Sequence, residues 1–469
     1  MASPELSFSD EPITPAGRLF LRPEMDTIIH CALGYKYHRD IDTIKTIVKN
    51  SLMIQHPRFC SLLVRDKNGL EHWRRTEVDI DRHIRVVKTA ASATSNDGYS
   101  DDDVERIIND YIADLAVSTP LSLDKPLWEI HFLEKEKCLV FRIHHALGDG
   151  ISLMSMLLAS CRKADDPEAV ATLVTAGRRD WQGRKGKDWI RTLMAALKMI
   201  LFSFVFCLEF ILRCLFVRDR KTVISGGDGT ELWPRKVATA KFRIEDMKAV
   251  KKAVANATIN DVLFGVISAG LSRYLDHRSP NSLREGQQLT GLSMVNLREQ
   301  PGLQDLKEMM KSNSASRWGN KFGFLLLPVH YHHKMEPLQY VKRAKTMIDR
   351  KKQTLEAHFT YRIGDLVMSW LGSKVAYLLN YRILCHTTFT ISNVIGPKEE
   401  ITLEGNPITF MRANTSSLPQ AVAMHMVSYA GRADMQIVVA KDIIPDPEFL
   451  AKCFEDSLLD MKEAALATI

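Results

Sequence analysis

The run Cys138-Leu-Val-Phe-Arg-Ile-His-His-Ala-Leu-Gly-Asp-Gly150, continued by Ile151-Ser-Leu-Met-Ser-Met-Leu-Leu-Ala-Ser-Cys-Arg162, decides how this chain is read. The apolar stretch 138–143 reads as a strand buried on both faces. Residues 151–162 read as a mostly buried helix. A strand-to-helix turn sets side chains at the mouth of a cleft, where mixed folds do chemistry. Consecutive strand residues point to opposite faces, so one of His144 and His145 faces the cleft while the other packs inward. Asp149 can fold back across the turn to fix a neighbouring Arg or the local backbone, and Gly148 and Gly150 permit that return. Three chemistries compete. A metal site would use both histidines and the aspartate, but adjacent histidines rarely chelate one ion and no further ligand is implied nearby. The pair could instead be structural. The third is general base catalysis, since imidazole takes a proton from a hydroxyl near neutral pH.

Outward from that run, Trp128, Ile130 and Phe132 share one face of a preceding strand within 126–143. Val104, Ile107, Ile108, Tyr111, Ile112 and Leu115 predict an amphipathic helix over 101–117, with Ser100 as N-cap. Residues 1–17 form a Pro/Ser-rich tail. Residues 176–235 combine basic clusters, an apolar stretch and the turn Gly226-Gly227-Asp228-Gly229, which marks a linker. Beyond it, strands are predicted near 238–244, 289–296, 322–329, 387–393 and 434–440. Helices are predicted at 245–255, 258–275, 336–357, 364–380 and 447–465. The class is therefore α/β or α+β in two domains, 18–175 and 236–469.

A chain of 469 residues with 45% apolar and 25% charged residues excludes a multi-span membrane protein, a disordered chain and a fibrous repeat. The net charge of +7 is too weak to imply nucleic acid. Eight scattered cysteines without C-x-x-C spacing read as reduced thiols facing a cytosol. The first residues lack the basic and apolar regions of a secretory signal.

His-His-x-x-x-Asp-Gly (144–150) resembles the signature of the coenzyme A-dependent acyltransferase superfamily, which includes condensation domains and chloramphenicol acetyltransferase. Pro126-Leu127-Trp128-Glu129, Asn260-Asp261, Val-Asn-Leu-Arg (295–298), Gly-Asn-Lys-Phe-Gly (319–323) and Ser-Asn-Val-Ile-Gly-Pro (392–397) make the chain most similar to plant bifunctional wax ester synthase/diacylglycerol acyltransferases. The resemblance spans about 20–465. It implies two chloramphenicol acetyltransferase-like domains with mixed sheets and an active-site tunnel between them. It carries the general base onto His145 and makes His144 and Asp149, with the Gly150 turn, architectural. Asp-Phe-Gly-Trp-Gly, carried by the neighbouring alcohol-acylating plant family, is absent.

The implied reaction joins acyl-CoA, as co-substrate, to a fatty alcohol or diacylglycerol, with no bound cofactor, metal or nucleic acid. His145 serves both proton transfers, so no acyl-enzyme is required. Ser392 and Asn393 are candidate oxyanion donors or merely a turn. Asn260 and Asp261 order the tunnel or cap a helix. Lys248, Lys251 and Lys252 are candidate CoA contacts, as is the cluster Arg350, Lys351 and Lys352, although solvated helix faces are the commoner source of such runs. His330, His332 and His333 read as strand-end residues without a metal.

Residues 199–217 could span a bilayer by length. Glu209 and Arg213 lie within them, and a single crossing would separate the two halves that the reaction needs together. At 100° per residue, Arg191, Lys198, Glu209 and Arg213 fall in an arc of about 60°. A helix lying in the membrane interface over 196–217 is therefore expected, with Phe202, Phe204, Phe206, Phe210, Leu215 and Phe216 towards lipid. Eleven Lys/Arg and four Asp/Glu between Arg178 and Lys221 account for the whole charge excess. The expected location is the endoplasmic reticulum membrane with the catalytic domains facing the cytosol, the plasma membrane being the alternative. Rival functions are a catalytically silent lipid-binding or transfer protein and an acyltransferase for a polar alcohol or amine.

Overall fold

The computed structural model describes residues 10–22, 25–67, 69–88, 100–118, 120–171, 189–298 and 318–468. The described chain forms two compact units. The first takes residues from 1–173, 303–321 and 399–416, and the second from 174–302, 322–398 and 417–469.

In the first unit, Trp128–Leu133 and Cys138–His144 pair as an antiparallel hairpin, with Lys137 at φ 48° in its turn. Trp128, Ile130 and Phe132 are fully buried, as their alternation predicts. They join Leu139, Ile143, Leu147 and Met156 in one apolar core. The seven-stranded mixed sheet runs Ile84–Val86, Trp128–Leu133, Cys138–His144, Ile28–Tyr35, Asn406–Thr415, Ile401–Leu403, Cys161–Lys163. The amphipathic helix is observed at Asp101–Ser118, where Ser100 Oγ accepts from Asp103 N–H at 3.2 Å.

The second unit is built on a six-stranded mixed sheet in the order Phe322–His330, Gln288–Asn296, Phe389–Ile395, Val422–Tyr429, Arg432–Ala440, Arg235–Arg243. Its two parallel pairings are central. Helices Ile244–Ala253, Ile259–Arg278, Pro337–Lys352 and Pro447–Leu466 contribute Val250, Leu271, Val341 and Phe454 to a core with Phe389, Met424 and Met435.

Several elements fall elsewhere than the sequence reading puts them. Residues 10–17 are not tail: Glu11 and Pro12 pair with Trp73 and His72, Ile13 is buried, and Thr14 caps the helix Pro15–Leu19. Strand Asn406–Thr415 lies in sequence between the second unit's strands Phe389–Ile395 and Val422–Tyr429 but pairs with Ile28–Tyr35. The linker region 176–235 is largely structured, because helix Trp189–Leu215 and residues 222–233 build into the second unit, while 176–188 lie outside the described residues. The helices expected at 336–357 and 364–380 resolve into three, Pro337–Lys352, Glu356–Trp370 and Gly372–His386. Glu356 starts the second because its carboxylate is buried against Lys351 Nζ at 2.8 Å and Leu326 N–H at 3.0 Å.

Candidate active site

In the first unit the strand Cys138–His144 ends and the chain turns at once, with Leu147 N–H donating to His144 O at 3.0 Å. Asp149 then caps the helix Gly150–Ala159, its Oδ1 accepting from Ser152 N–H at 3.0 Å. His144 holds the start of this turn. Ala146 N–H donates to its Nδ1 at 3.1 Å, so its proton sits on Nε2, which donates to Asp26 Oδ1 at 2.8 Å.

His145 lies on the other face, only 6% exposed, with its imidazole stacked on Phe20 at 4.1 Å between ring centroids. Asn320 grips it twice. Asn320 Nδ2 donates to His145 O at 2.8 Å, which fixes the orientation of the carboxamide. Asn320 Oδ1 therefore faces His145 Nδ1 at 3.0 Å and can only accept there. The hydrogen-bond network thus places the proton on Nδ1 and leaves the lone pair on Nε2. Burial lowers the imidazole to about 4, opposed by the nearby Asp149 charge and the Asn320 bond. The ring is neutral at pH 7, a state able to accept a proton.

The segment 318–321 is pinned to the turn. Trp318 Nε1 donates to Leu147 O at 2.7 Å, Gly319 N–H to Ser152 Oγ at 3.3 Å, and Lys321 N–H to Asp149 Oδ2 at 3.2 Å. Gly319 adopts φ +106°, and a Cβ there would stand 2.8 Å from the buried Arg58 guanidinium. Only glycine meets both demands. Asp149 thus bridges the helix start and the segment that carries Asn320. Asn320, Phe20, Trp318 and Asp26 were not singled out by sequence reasoning. Asn320 does lie inside the quoted Gly-Asn-Lys-Phe-Gly run, and its neighbouring glycine was the available signal.

The remaining candidates lie in the second unit. Asn393, in the strand Phe389–Ile395, donates from Nδ2 to Asn260 Oδ1 at 2.9 Å, so two of the expected residues meet. Ser392 is half-buried beside them. Asp261 is fully buried and completes a capping box, its Oδ2 accepting from Thr258 N–H at 2.6 Å and Thr258 Oγ1 at 2.9 Å. Lys248, Lys251 and Lys252 are exposed towards the C-terminal end of helix Ile244–Ala253, whereas Lys351 is buried in its pair with Glu356. His332 bonds Glu285, and His333 Nδ1 lies 3.2 Å from Asp276. Among the described residues no three His, Cys, Asp or Glu gather as a metal site.

The apolar segment is helical over Trp189–Leu215, and no helix among the described residues is long and apolar enough to cross a membrane. Towards its C-terminal end the charges face inward, with Arg213 buried against Asp219 at 2.9 Å and Glu209 at 3.3 Å, whereas Lys198 is exposed. Phe204 and Phe216 are exposed, and Phe202, Phe206 and Leu215 are half-buried. Phe210 is buried, as are Arg213 and Cys214, which corrects its expected lipid-facing position: the helix packs against Glu356–Trp370 and Gly372–His386. Phe206 lies 3.7 Å beneath Lys351 Nζ.

A family model described as the wax ester synthase/diacylglycerol acyltransferase catalytic domain matches residues 39–263, and one described as the WS/DGAT C-terminal domain matches 318–462. Wax ester synthase/diacylglycerol acyltransferase 11 of Arabidopsis thaliana is 36% identical, covering 97% of this chain and 96% of its own length. Wax ester synthase/diacylglycerol acyltransferase 2 of the same plant is 35% identical, covering 98% and 97%. Among solved structures, a wax ester synthase/diacylglycerol acyltransferase from Marinobacter aquaeolei VT8 superposes with a TM-score of 0.61 at 17% identity, covering 97% of this chain and 99% of that one. A trichothecene 15-O-acetyltransferase from Fusarium sporotrichioides gives 0.58 at 12% identity, covering 96% and 94%. These two show likeness of fold.

Proposed function

The chain belongs to the wax ester synthase/diacylglycerol acyltransferase family, and from that premise we propose that it transfers a fatty acyl group from acyl-CoA to a long-chain alcohol, to diacylglycerol, or to both. The observation that carries the chemistry is the pairing of His145 with Asn320. His145 Nε2 takes the hydroxyl proton as the alcohol oxygen attacks the thioester carbonyl. The tetrahedral intermediate collapses with cleavage of the C–S bond, and the imidazolium returns its proton to the departing CoA thiolate. The atoms balance without an acyl-enzyme. A conjugate acid near 4 gives that proton up readily, and the Asp149 charge steadies it while it exists.

The two units act as chloramphenicol acetyltransferase-like domains with the tunnel between them, a reading supported by the motif set and the fold likeness. Ser392 and Asn393 are the candidate oxyanion donors, and Asn260 holds Asn393. Exposed Lys248, Lys251 and Lys252 are candidates for the CoA phosphates. The helix Trp189–Leu215 rests in the bilayer interface of the endoplasmic reticulum through its exposed Leu197, Ile200, Phe204 and Leu208. The test is purified protein with one labelled long-chain acyl-CoA and a fatty alcohol and a diacylglycerol in competition, with His145→Ala alongside. Wild-type ester formation by a folded His145→Ala protein overturns the mechanism. Acylation of neither acceptor overturns the activity.

A further inference from the structure

The second unit carries two successive helices, Glu356–Trp370 and Gly372–His386, joined through Leu371. Gly372 bends the chain at φ +81°, and nothing lies within 4 Å of where its Cβ would be, so the bend projects into open space. The side chains around it are large, apolar and uncovered: Leu366 (52% exposed), Trp370 (82%), Leu371 (60%), Val375 (36%) and Leu378 (49%). Trp370 is the most exposed large apolar side chain among the described residues.

The polarity changes along the helix axis. Positions 358, 362, 366 and 370 share one face at four-residue spacing. His358 and Arg362 are exposed away from the bend, while Leu366 and Trp370 are exposed next to it. Lys374 is exposed within a turn of the bend, and Asp365, preceding Leu366, is an exposed acid about two turns before it. A flat protein partner would ask for an apolar centre with a polar rim. A bilayer asks for polarity that falls with depth. From Leu366 to Leu371 the helix rises about 7.5 Å, within the roughly 5–10 Å to which interfacial elements bury. Tryptophan favours that level. Arg362 and Lys374 can keep their charges among phosphates while their stems lie along apolar surface. The base of the pair is tied to the long helix, since Leu355 N–H donates to Ser203 Oγ at 3.0 Å and an Arg382 guanidinium N–H to Leu215 O at 2.7 Å. The long helix, with its own exposed apolar residues, thus packs against this pair within the unit.

We propose that the bend spanning Leu366–Leu378 is an insertion tip that docks the second unit on an anionic phospholipid surface. The inference extends the membrane reading of the long helix and stands on separate residues. The experiment is co-sedimentation of the full chain with phosphatidylcholine vesicles containing phosphatidylserine. The variant W370E/L371E should partition about ten-fold more weakly than wild type or worse. Leu123→Glu, which alters an equally bare leucine of the first unit (62% exposed), should bind as wild type. As a milder probe, phospholipid brominated in the upper acyl chain should quench wild-type fluorescence more than that of Trp370→Phe. Unchanged partition of W370E/L371E, an equal loss in Leu123→Glu, or equal quenching in Trp370→Phe overturns the proposal. F204E/L208E separates the two readings. If it releases the protein while W370E/L371E does not, the long helix docks alone. If only W370E/L371E releases it, the tip stands and the long-helix reading falls.

Discussion

Asn320 holds both the side chain and the backbone of His145, accepting from Nδ1 at 3.0 Å and donating to the backbone carbonyl at 2.8 Å. Rotation of the imidazole about its Cβ–Cγ bond would break the first contact, and the second keeps the carboxamide from turning to follow. The ring is clamped further by Phe20. Asn320 is therefore a positioning residue, and Asn320→Ala should lower kcat by about 10²-fold with little change in KM, the signature of a misplaced base. Steady-state kinetics on folded protein checks this.

Asn320→Asp makes a sharper case. A carboxylate at Nδ1 favours the imidazolium and raises the pKa of His145 from its depressed position. The acid limb of the kcat/KM profile should then move to higher pH than in wild type. An unmoved limb would show that His145 is not the titrating base.

Four buried histidines of the first unit share a sign, His131 being lowered by burial along with the three that follow. Burial lowers His56 to about 3, His83 to about 4 and His145 to about 4. The unfolded chain, at the ordinary 6.5, binds more protons than the native one between those values. Stability should thus be full above about pH 6.5 and fall as the pH drops towards 4, by up to about 1.4 kcal/mol per pH unit for each ring. Urea unfolding at pH 7, 6 and 5 measures the slope.

Asp149→Asn keeps a helix cap but presents an amide N–H to Lys321 N–H, in place of the 3.2 Å bond now made there. The expected cost is about 1–2 kcal/mol, and kcat falls with it because Asn320 is carried on the same segment. Melting temperature and kcat should drop together.

If Asn393 supplies the oxyanion donor, Asn393→Ala should lower kcat by about 10²–10³-fold at unchanged acyl-CoA affinity. A loss below about three-fold would leave it as a partner of Asn260 only.

The strand, turn and helix around residues 138–162 were legible because each signal is local: apolar run, glycines, capping aspartate. The grip of Asn320 was not, since its partner lies 175 residues away in sequence and a carboxamide has no periodicity to betray it. The stripe of Glu209 and Arg213 was legible as a stripe, but its direction depended on Asp219, whose carboxylate is shielded and also accepts from Thr290 N–H at 2.6 Å. Nor does sequence alone mark Gly372 as a bend between two exposed apolar helix ends rather than the interior of one helix.

The strand Asn406–Thr415 lies between Ile28–Tyr35 and Ile401–Leu403 in the first sheet. On the ribosome, therefore, the half that carries His145 is made with an interior strand missing and the Ile28–Tyr35 edge bare. Residues up to Thr415 must emerge before that sheet closes, and His145 has no Asn320 until well past the middle of the chain. A fragment ending near residue 175 should accordingly be a poor solitary protein, open at a sheet edge and prone to edge-to-edge association. Assembly of the site around His145 thus waits for residues as far as Thr415.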